Sequence, residues 1–129
     1  MKGRAVPAGE AQPMQGGLSL RIDLPRGRIG PGKIALLEAI GREGSISAAG
    51  RALGMSYRRA WDLVDALNGL VGVPVVQASP GGQRGGGASL TEAGRILVAD
   101  YRAIEQAAQR AAERRLSALL RRMDPPASP

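Results

Sequence analysis

Cysteine, histidine and phenylalanine are all absent from this 129-residue chain, and one Trp and two Tyr are its only aromatic residues. Without Cys there are no disulfides and no thiolate ligands. Without His there is no imidazole for a metal site or for a Ser-His nucleophile system. No catalytic residues, metal or cofactor are therefore expected, and the chain is not read as an enzyme. No stretch approaches the roughly 18 apolar residues that a membrane span needs. Lys2 and Arg4 are followed by no apolar segment of signal-peptide type. The expectation is a soluble, cytoplasmic, nucleoid-associated protein with no membrane partner. Hydrophobic residues make up 43% of the chain but aromatics only 2%, so the core must be aliphatic. Helices joined by short turns suit such a core, because Ala and Leu have high helix propensity.

Acidic charge is also scarce: 18 Lys+Arg face 11 Asp+Glu, a net charge of +7. A small basic protein is drawn to polyanions, of which nucleic acid is the commonest. All the basic residues except Lys2 and Lys33 are Arg, and Ala and Gly abound. A high-GC genome writes any protein that way, so charge suggests a partner without deciding it.

Residues 1–16, with Pro7 and Pro13 and no periodicity, read as a disordered tail. Leu18, Leu20, Ile22 and Leu24 alternate with polar residues, predicting a half-buried strand. Pro25 to Gly32 reads as a loop, and Lys33 to Arg42 as a helix closed by Gly41 and Gly44. Ser45 is a good N-cap for a second helix, Ile46 to Leu53, with Gly54 in the left-handed turn after it. Ser56 caps a third helix whose Ala60, Val64, Leu67 and Val71 form a core-facing stripe. Val73 to Ala78 and Ala88 to Leu90 read as short strands around a flexible loop, Ser79 to Gly87. Thr91 caps a last helix running to about Met123, and 124–129 form a second tail. The predicted fold is one domain, 17–123, mostly α with a small β-hairpin (α+β). Its architecture is a winged helix-turn-helix with an N-terminal strand and a long C-terminal dimerisation helix.

Residues 45–71 have the form of a helix-turn-helix that lays its second helix in a DNA major groove. Ala48, Ala49 and Gly50 are small where the helices must cross, and Gly54 accepts the positive φ of the turn. With Ala60, Val64 and Leu67 inward, the opposite face presents Tyr57, Arg58, Trp61, Asp62 and Asp65. Arg58 and Arg59 can bond guanine or phosphate, and the hydroxyls of Ser45, Ser47, Ser56 and Tyr57 can reach phosphates. A plain helical hairpin with a solvated charged face would carry the same residues. The loop with Gln83, Arg84 and Gly85 suits a wing whose backbone approaches the DNA rails while Arg84 meets the minor groove; an ordinary surface loop is the alternative. Trp61 is open between packing, the commoner role of a lone Trp, and the DNA face.

Gly44-Ser45-Ile46-Ser47, Met55-Ser56-Tyr57-Arg58, Ala60-Trp61-Asp62 and Asn68, then Gly81 to Ala88, Leu90-Thr91 and Gly94, resemble the N-terminal domain of ModE-type molybdate-responsive regulators. The likeness covers roughly residues 18–115. Leu90-Thr91-Glu92-Ala93-Gly94 is similar, more distantly, to the DNA-binding domains of LysR-type regulators. The resemblance implies a winged helix, a homodimer and a palindromic double-stranded DNA operator, with residues 56–62 carrying recognition and 81–87 the wing. Molybdate sensing in that family uses further C-terminal domains, so a chain ending at Pro129 is expected without a molybdate-binding domain.

From Leu97 a stripe runs through Tyr101, Ile104, Ala108, Ala112, Leu116, Leu119 and Met123, about seven turns of helix. A helix folding back on its own core would account for the first two or three turns but not the end, and a partner helix is the economical answer. Leu18, Leu20 and Ile22 are expected to join Tyr101, Ile104, Ala108, Ala112, Leu116 and Leu119 at the dimer interface. Two rival functions stay open. Gly27 to Lys33 satisfies G-x-x-x-x-G-K, the P-loop pattern, but Ile34 stands where Ser or Thr should hold Mg²⁺ and no later strand supplies a metal-binding Asp. A non-specific DNA-shaping or partner-tethering module is the other, distinguished by its lack of preference for one site.

Overall fold

The computed structural model describes residues 17–80 and 86–123. The expected tails, 1–16 and 124–129, and the wing residues Gln83, Arg84 and Gly85 lie outside the described residues. In chain order the elements are β1 (Ile22–Leu24), β2 (Gly27–Ile29), α1 (Pro31–Glu43), α2 (Ile46–Ala52), α3 (Tyr57–Val71), β3 (Val76–Ser79), β4 (Gly87–Leu90) and α4 (Glu92–Met123). The chain divides into two units by its contacts: Ser19–Glu105, and a second that includes Leu18 and the helix from Gln106 onward.

The N-terminal strand is shorter than alternation predicted, and it belongs to a hairpin. Only Ile22–Leu24 pair, and they pair antiparallel with Gly27–Ile29, inside the stretch expected as a loop. The alternation still governs burial: Leu18, Leu20 and Ile22 are half-buried while 17, 19 and 21 are exposed. Leu20 and Ile22 pack against the unit's own core. Leu24 is exposed at the turn.

Helix α1 starts at Pro31, whose fixed φ and missing N–H suit a first helical position. It runs through Gly41 and stops at Gly44, which takes φ +80° and donates its N–H to the Ile40 carbonyl at 2.9 Å. Ile34, Leu36, Leu37, Ala39 and Ile40 are fully buried, so α1 is the central helix. Burial of each large aliphatic side chain contributes about 1.5–3 kcal/mol. One side of α1 meets Ile46 and Ala49 of α2 with Ala60 and Val64 of α3. The other meets Ile29, Leu67, Val75 and Tyr101.

Tyr101, expected at the dimer interface, is buried in its own unit. Its side chain is 1% exposed within its own unit, and its hydroxyl donates to the Leu20 carbonyl at 2.6 Å. Burial raises its phenol pKa, so the proton that makes this bond is held more firmly. The ring is packed inside its own unit. Periodicity placed Tyr101 on the right stripe, but the first turns of that stripe face the domain itself.

The next residue ties α4 to α1. Arg102 donates to both Glu38 oxygens, at 2.7 and 2.9 Å, and to Glu105 at 2.7 Å. The guanidinium hydrogen bonds hold the Glu38 carboxyl below its usual range and push the Arg102 pKa up. Both partners are about one-third exposed, at 36% and 33%, so water screens the pair and its contribution is at most about 1 kcal/mol.

The start of α4 packs too closely for any side chain at Gly94. A Cβ there would overlap the Val75 carbonyl oxygen. Gly94→Ala is therefore expected to destabilise the protein by about 1–3 kcal/mol, the usual cost of overpacking. Urea unfolding followed by circular dichroism checks this, and an unchanged midpoint would show that helix and strand can separate at no cost.

Candidate nucleic-acid interface

Two serine caps shape the site. Ser45 is extended, and its Oγ accepts the Ala48 N–H at 2.9 Å, starting α2. Ser56 does the same for α3, accepting the Arg59 N–H at 3.0 Å. Between them Gly54 takes φ +72°. The Met55 N–H reaches back to the Gly50 carbonyl at 2.9 Å. A Cβ on Gly50 would lie 3.3 Å from the Met55 oxygen and 3.5 Å from the Ala60 Cβ. The tight turn thus requires a small residue where α2 meets α3, as the sequence proposed.

Burial of Ala60, Val64 and Leu67 fixes the rotation of α3. The opposite face carries Tyr57, Arg58, Trp61, Asp62 and Asp65, every one of them exposed, with Arg59 at its flank. Trp61 is 39% exposed and so is not the packing residue that a lone Trp usually is. It stands edge-on to Tyr57, with ring centroids 6.2 Å apart at 76°. No ion pair among the described residues involves Arg58, Arg59 or Asp62. Their charges are unspent within the fold. The Ser45 and Ser56 oxygens are committed as caps, and Ser47 Oγ accepts from Arg51 at 2.8 Å, but each hydroxyl proton is still able to donate. The N-terminus of α3 adds partial positive charge beside this face.

The hairpin follows at once. Strands β3 and β4 pair antiparallel from Val76↔Leu90 to Ser79↔Gly87, carrying the chain out toward residues 81–85 and back. Both feet are anchored. The Val75 N–H donates to Asn68 Oδ1 of α3 at 2.8 Å, and the Ala88 N–H to the Gly44 carbonyl at 2.8 Å. Thr91 Oγ1 accepts the Gly94 N–H at 3.1 Å as the cap of α4, and donates to the Pro74 carbonyl at 2.8 Å. Sequence reasoning gave Asn68 and Gly94 no physical role. The one available signal for Asn68 was a polar side chain bordering the apolar stripe of α3 in its last turn.

The remaining candidates fall in different places. On α4, Ile104 and Leu119 are each 50% exposed, while Ala108, Ala112 and Leu116 are half-buried. The Leu18 N–H is held by Gln109 Oε1 at 2.9 Å. The P-loop pattern is overturned. Gly27–Ile29 form a paired strand, Pro31 to Lys33 are the first turn of α1, and Lys33 Nζ donates to the Arg28 carbonyl at 2.8 Å. A phosphate cradle needs those residues as a wrapped loop. Among the described residues no helix is long and apolar enough to cross a membrane.

Residues 32–95 match the family described as bacterial regulatory helix-turn-helix protein, lysR family. Molybdenum-pterin-binding protein MopB of Rhodobacter capsulatus is 60% identical over 78 residues, 60% of this chain and 29% of MopB. The DNA-binding transcriptional dual regulator ModE of Escherichia coli (strain K12) is 40% identical over 81 residues, 63% of this chain and 31% of that protein. The chain thus spans under a third of the length of either relative. Among solved structures, the CbnR_DBD-DNA complex is similar with a TM-score of 0.55 and 26% identity, covering 68% of this chain and 95% of that one. The winged helix-turn-helix architecture and the ModE and LysR resemblances read from sequence both hold.

Because Ser56 alone caps α3, Ser56→Ala should lower stability by about 0.5–2 kcal/mol, whereas Ser56→Gly should lower it by only a few tenths. Chemical denaturation of the two variants checks this, and equal loss in both would mean that the cap is not what starts the helix.

Proposed function

We propose, from the match of residues 32–95 to the bacterial regulatory helix-turn-helix lysR family, that the chain is a sequence-specific DNA-binding transcription regulator acting as a homodimer. Helix α3 enters the major groove, and the glycine-rich segment around Gln83, Arg84 and Gly85 lies on the backbone or in the minor groove. The observation that carries this reading is the outward face of α3. Tyr57, Arg58, Trp61 and Asp62 are exposed there together, and neither charged group has an ion-pair partner among the described residues. An ordinary surface helix rarely sets two large aromatics in water side by side. Duplex DNA offers them base edges and methyl groups, and offers Arg58 the paired acceptors of guanine. Ser45, Ser47, Ser56 and Arg59 sit at the helix starts, where phosphates approach donors.

Dimerisation is assigned to α4. It is 32 residues long, and Ile104, Leu119 and Met123 on its apolar stripe are 50%, 50% and 67% exposed. A second copy of the helix would cover them, with Ala108, Ala112 and Leu116 permitting close approach. Leu18, Leu20 and Ile22 would contribute only what their own domain leaves exposed. Two copies would present two recognition helices to a palindromic site.

Selection from a randomised duplex pool should return a defined motif, preferred over unrelated duplex by about a thousandfold or more. Arg58→Ala should reduce that preference roughly tenfold, the value of a good bidentate base contact. Arg84→Ala should instead weaken all duplexes alike and reduce the salt slope by about one. Unaltered binding in both variants would remove α3 and the wing from the interface. Sedimentation should give a dimer that Leu119→Asp converts to a monomer; a monomeric parent chain would overturn the assignment of α4.

A further inference from the structure

The outward line of α3 is unexpectedly acidic for a surface meeting a polyanion. Residues directly opposite the buried Ala60, Val64 and Leu67 are Arg58, Asp62, Asp65 and Gly69, all exposed. Arg58 and Asp62 are one turn apart, and no ion pair joins them. Nor does any capping or other side-chain hydrogen bond among the described residues use the Asp62 carboxylate. It has no structural task in the fold, and near phosphates it is repelled. A carboxylate in a major groove accepts hydrogen bonds and donates none. Guanine and thymine edges present only acceptors to it; adenine presents its N6 amino donor beside the N7 acceptor, whereas cytosine presents its N4 amino donor with no acceptor next to it.

We infer that Asp62 is a specificity-determining residue that reads a cytosine, one or two base pairs from the guanine taken by Arg58. This rests on the reading of α3 as the groove-entering helix. The spacing follows from helix geometry: one turn advances about 5.4 Å, and base pairs stack about 3.4 Å apart. Selectivity arises mostly through rejection. With guanine or thymine at that position the carboxylate is desolvated beside acceptors, and with adenine the N7 acceptor lies next to the N6 donor, so the wrong site is disfavoured more than the right one is favoured. Asp65 lies nearly one turn further along, away from the N-terminal end that reaches deepest into a groove, and is not assigned this role.

The test is selection of binding sites from a randomised duplex library by the full chain and by Asp62→Asn and Asp62→Ala, followed by titration of the best sites. The parent chain should return a motif containing one cytosine that Asp62→Asn changes to adenine, since an amide pairs with adenine N6 and N7. Asp62→Ala should accept any base there, losing a discrimination of roughly 5- to 100-fold, and both variants should bind unrelated duplex more tightly. A parent motif that both variants select unchanged would overturn the inference and leave the regulatory function intact. So would loss of preference only at the Arg58 guanine, which would make Asp62 a positioning residue for that side chain. Failure of the parent chain to select any motif would overturn this inference together with the proposed function. Asp62 is exposed, so its replacement should leave the melting temperature unchanged and the comparison clean.

Discussion

A single residue, Val75, joins the parts of the domain. Its N–H donates to Asn68 at the end of α3, and its carbonyl accepts from the N–H of Thr91, the residue that caps α4. Its side chain is fully buried, and Gly94 lies against its carbonyl where no side chain would fit. The adjoining Pro74 carbonyl accepts the Thr91 hydroxyl. Each such bond has a net value of only about 0.5–1.5 kcal/mol, but a buried group left without its partner costs about 1–3. The end of α3, the first strand of the hairpin and the start of α4 therefore cannot shift independently. Helix α3 and strand β3 are both tied to this residue, and through Thr91 the same tie reaches the start of α4.

Placement of the scarce aromatic residues shows what the fold needs and what it does not. Of one Trp and two Tyr, only Tyr101 is in the core. The rest of the interior is Ile, Leu, Val and Ala, with Ala49, Gly50 and Ala60 letting α2 and α3 approach closely. A domain short of aromatics would gain most by burying them, since each carries far more area than an aliphatic side chain. Trp61 and Tyr57 instead stand in water on one face of α3. That choice sacrifices stability that the core could have had, and it is understandable only if the face meets something.

The parts legible in the sequence were those set by local chemistry. Ser45 and Ser56 announced their helices because a hydroxyl must satisfy free N–H groups, and Gly54 announced its turn because few other residues tolerate the backbone angle there. The stripe of Ala60, Val64 and Leu67 then fixed which residues of α3 face outward. Features that depend on distant partners were missed. The β1–β2 hairpin was hidden because Gly27-Arg28-Ile29 is too short to show alternation, and Pro25 and Gly27 on either side of Arg26 read as a loop. Tyr101 was assigned to a partner chain because periodicity gives the side of a helix that is covered, not what covers it. In the sequence Trp61 is open between packing and the outer face, since frequency favours burial, while its position beside the buried stripe of α3 leaves it 39% exposed.

Charge distribution separates attraction from discrimination. The chain carries +7, yet Arg58 and Arg59 on α3 are balanced by Asp62 and Asp65, so α3 is formally neutral. The excess lies elsewhere, much of it in Arg110, Arg114, Arg115, Arg121 and Arg122. Contacts to phosphate release counterions and weaken steeply with salt, and they hold every sequence alike. Contacts to base edges release few counterions and fade little. On the proposed reading of α3 as the groove-entering helix, its neutrality would add little to non-specific binding, and the ratio of specific to non-specific affinity should grow as ionic strength rises toward that of the cell. A helix loaded with arginine would bind more tightly and tell sequences apart less well. If α3 enters a groove as proposed, its balanced charge would leave the choice of site to shape and to individual hydrogen bonds.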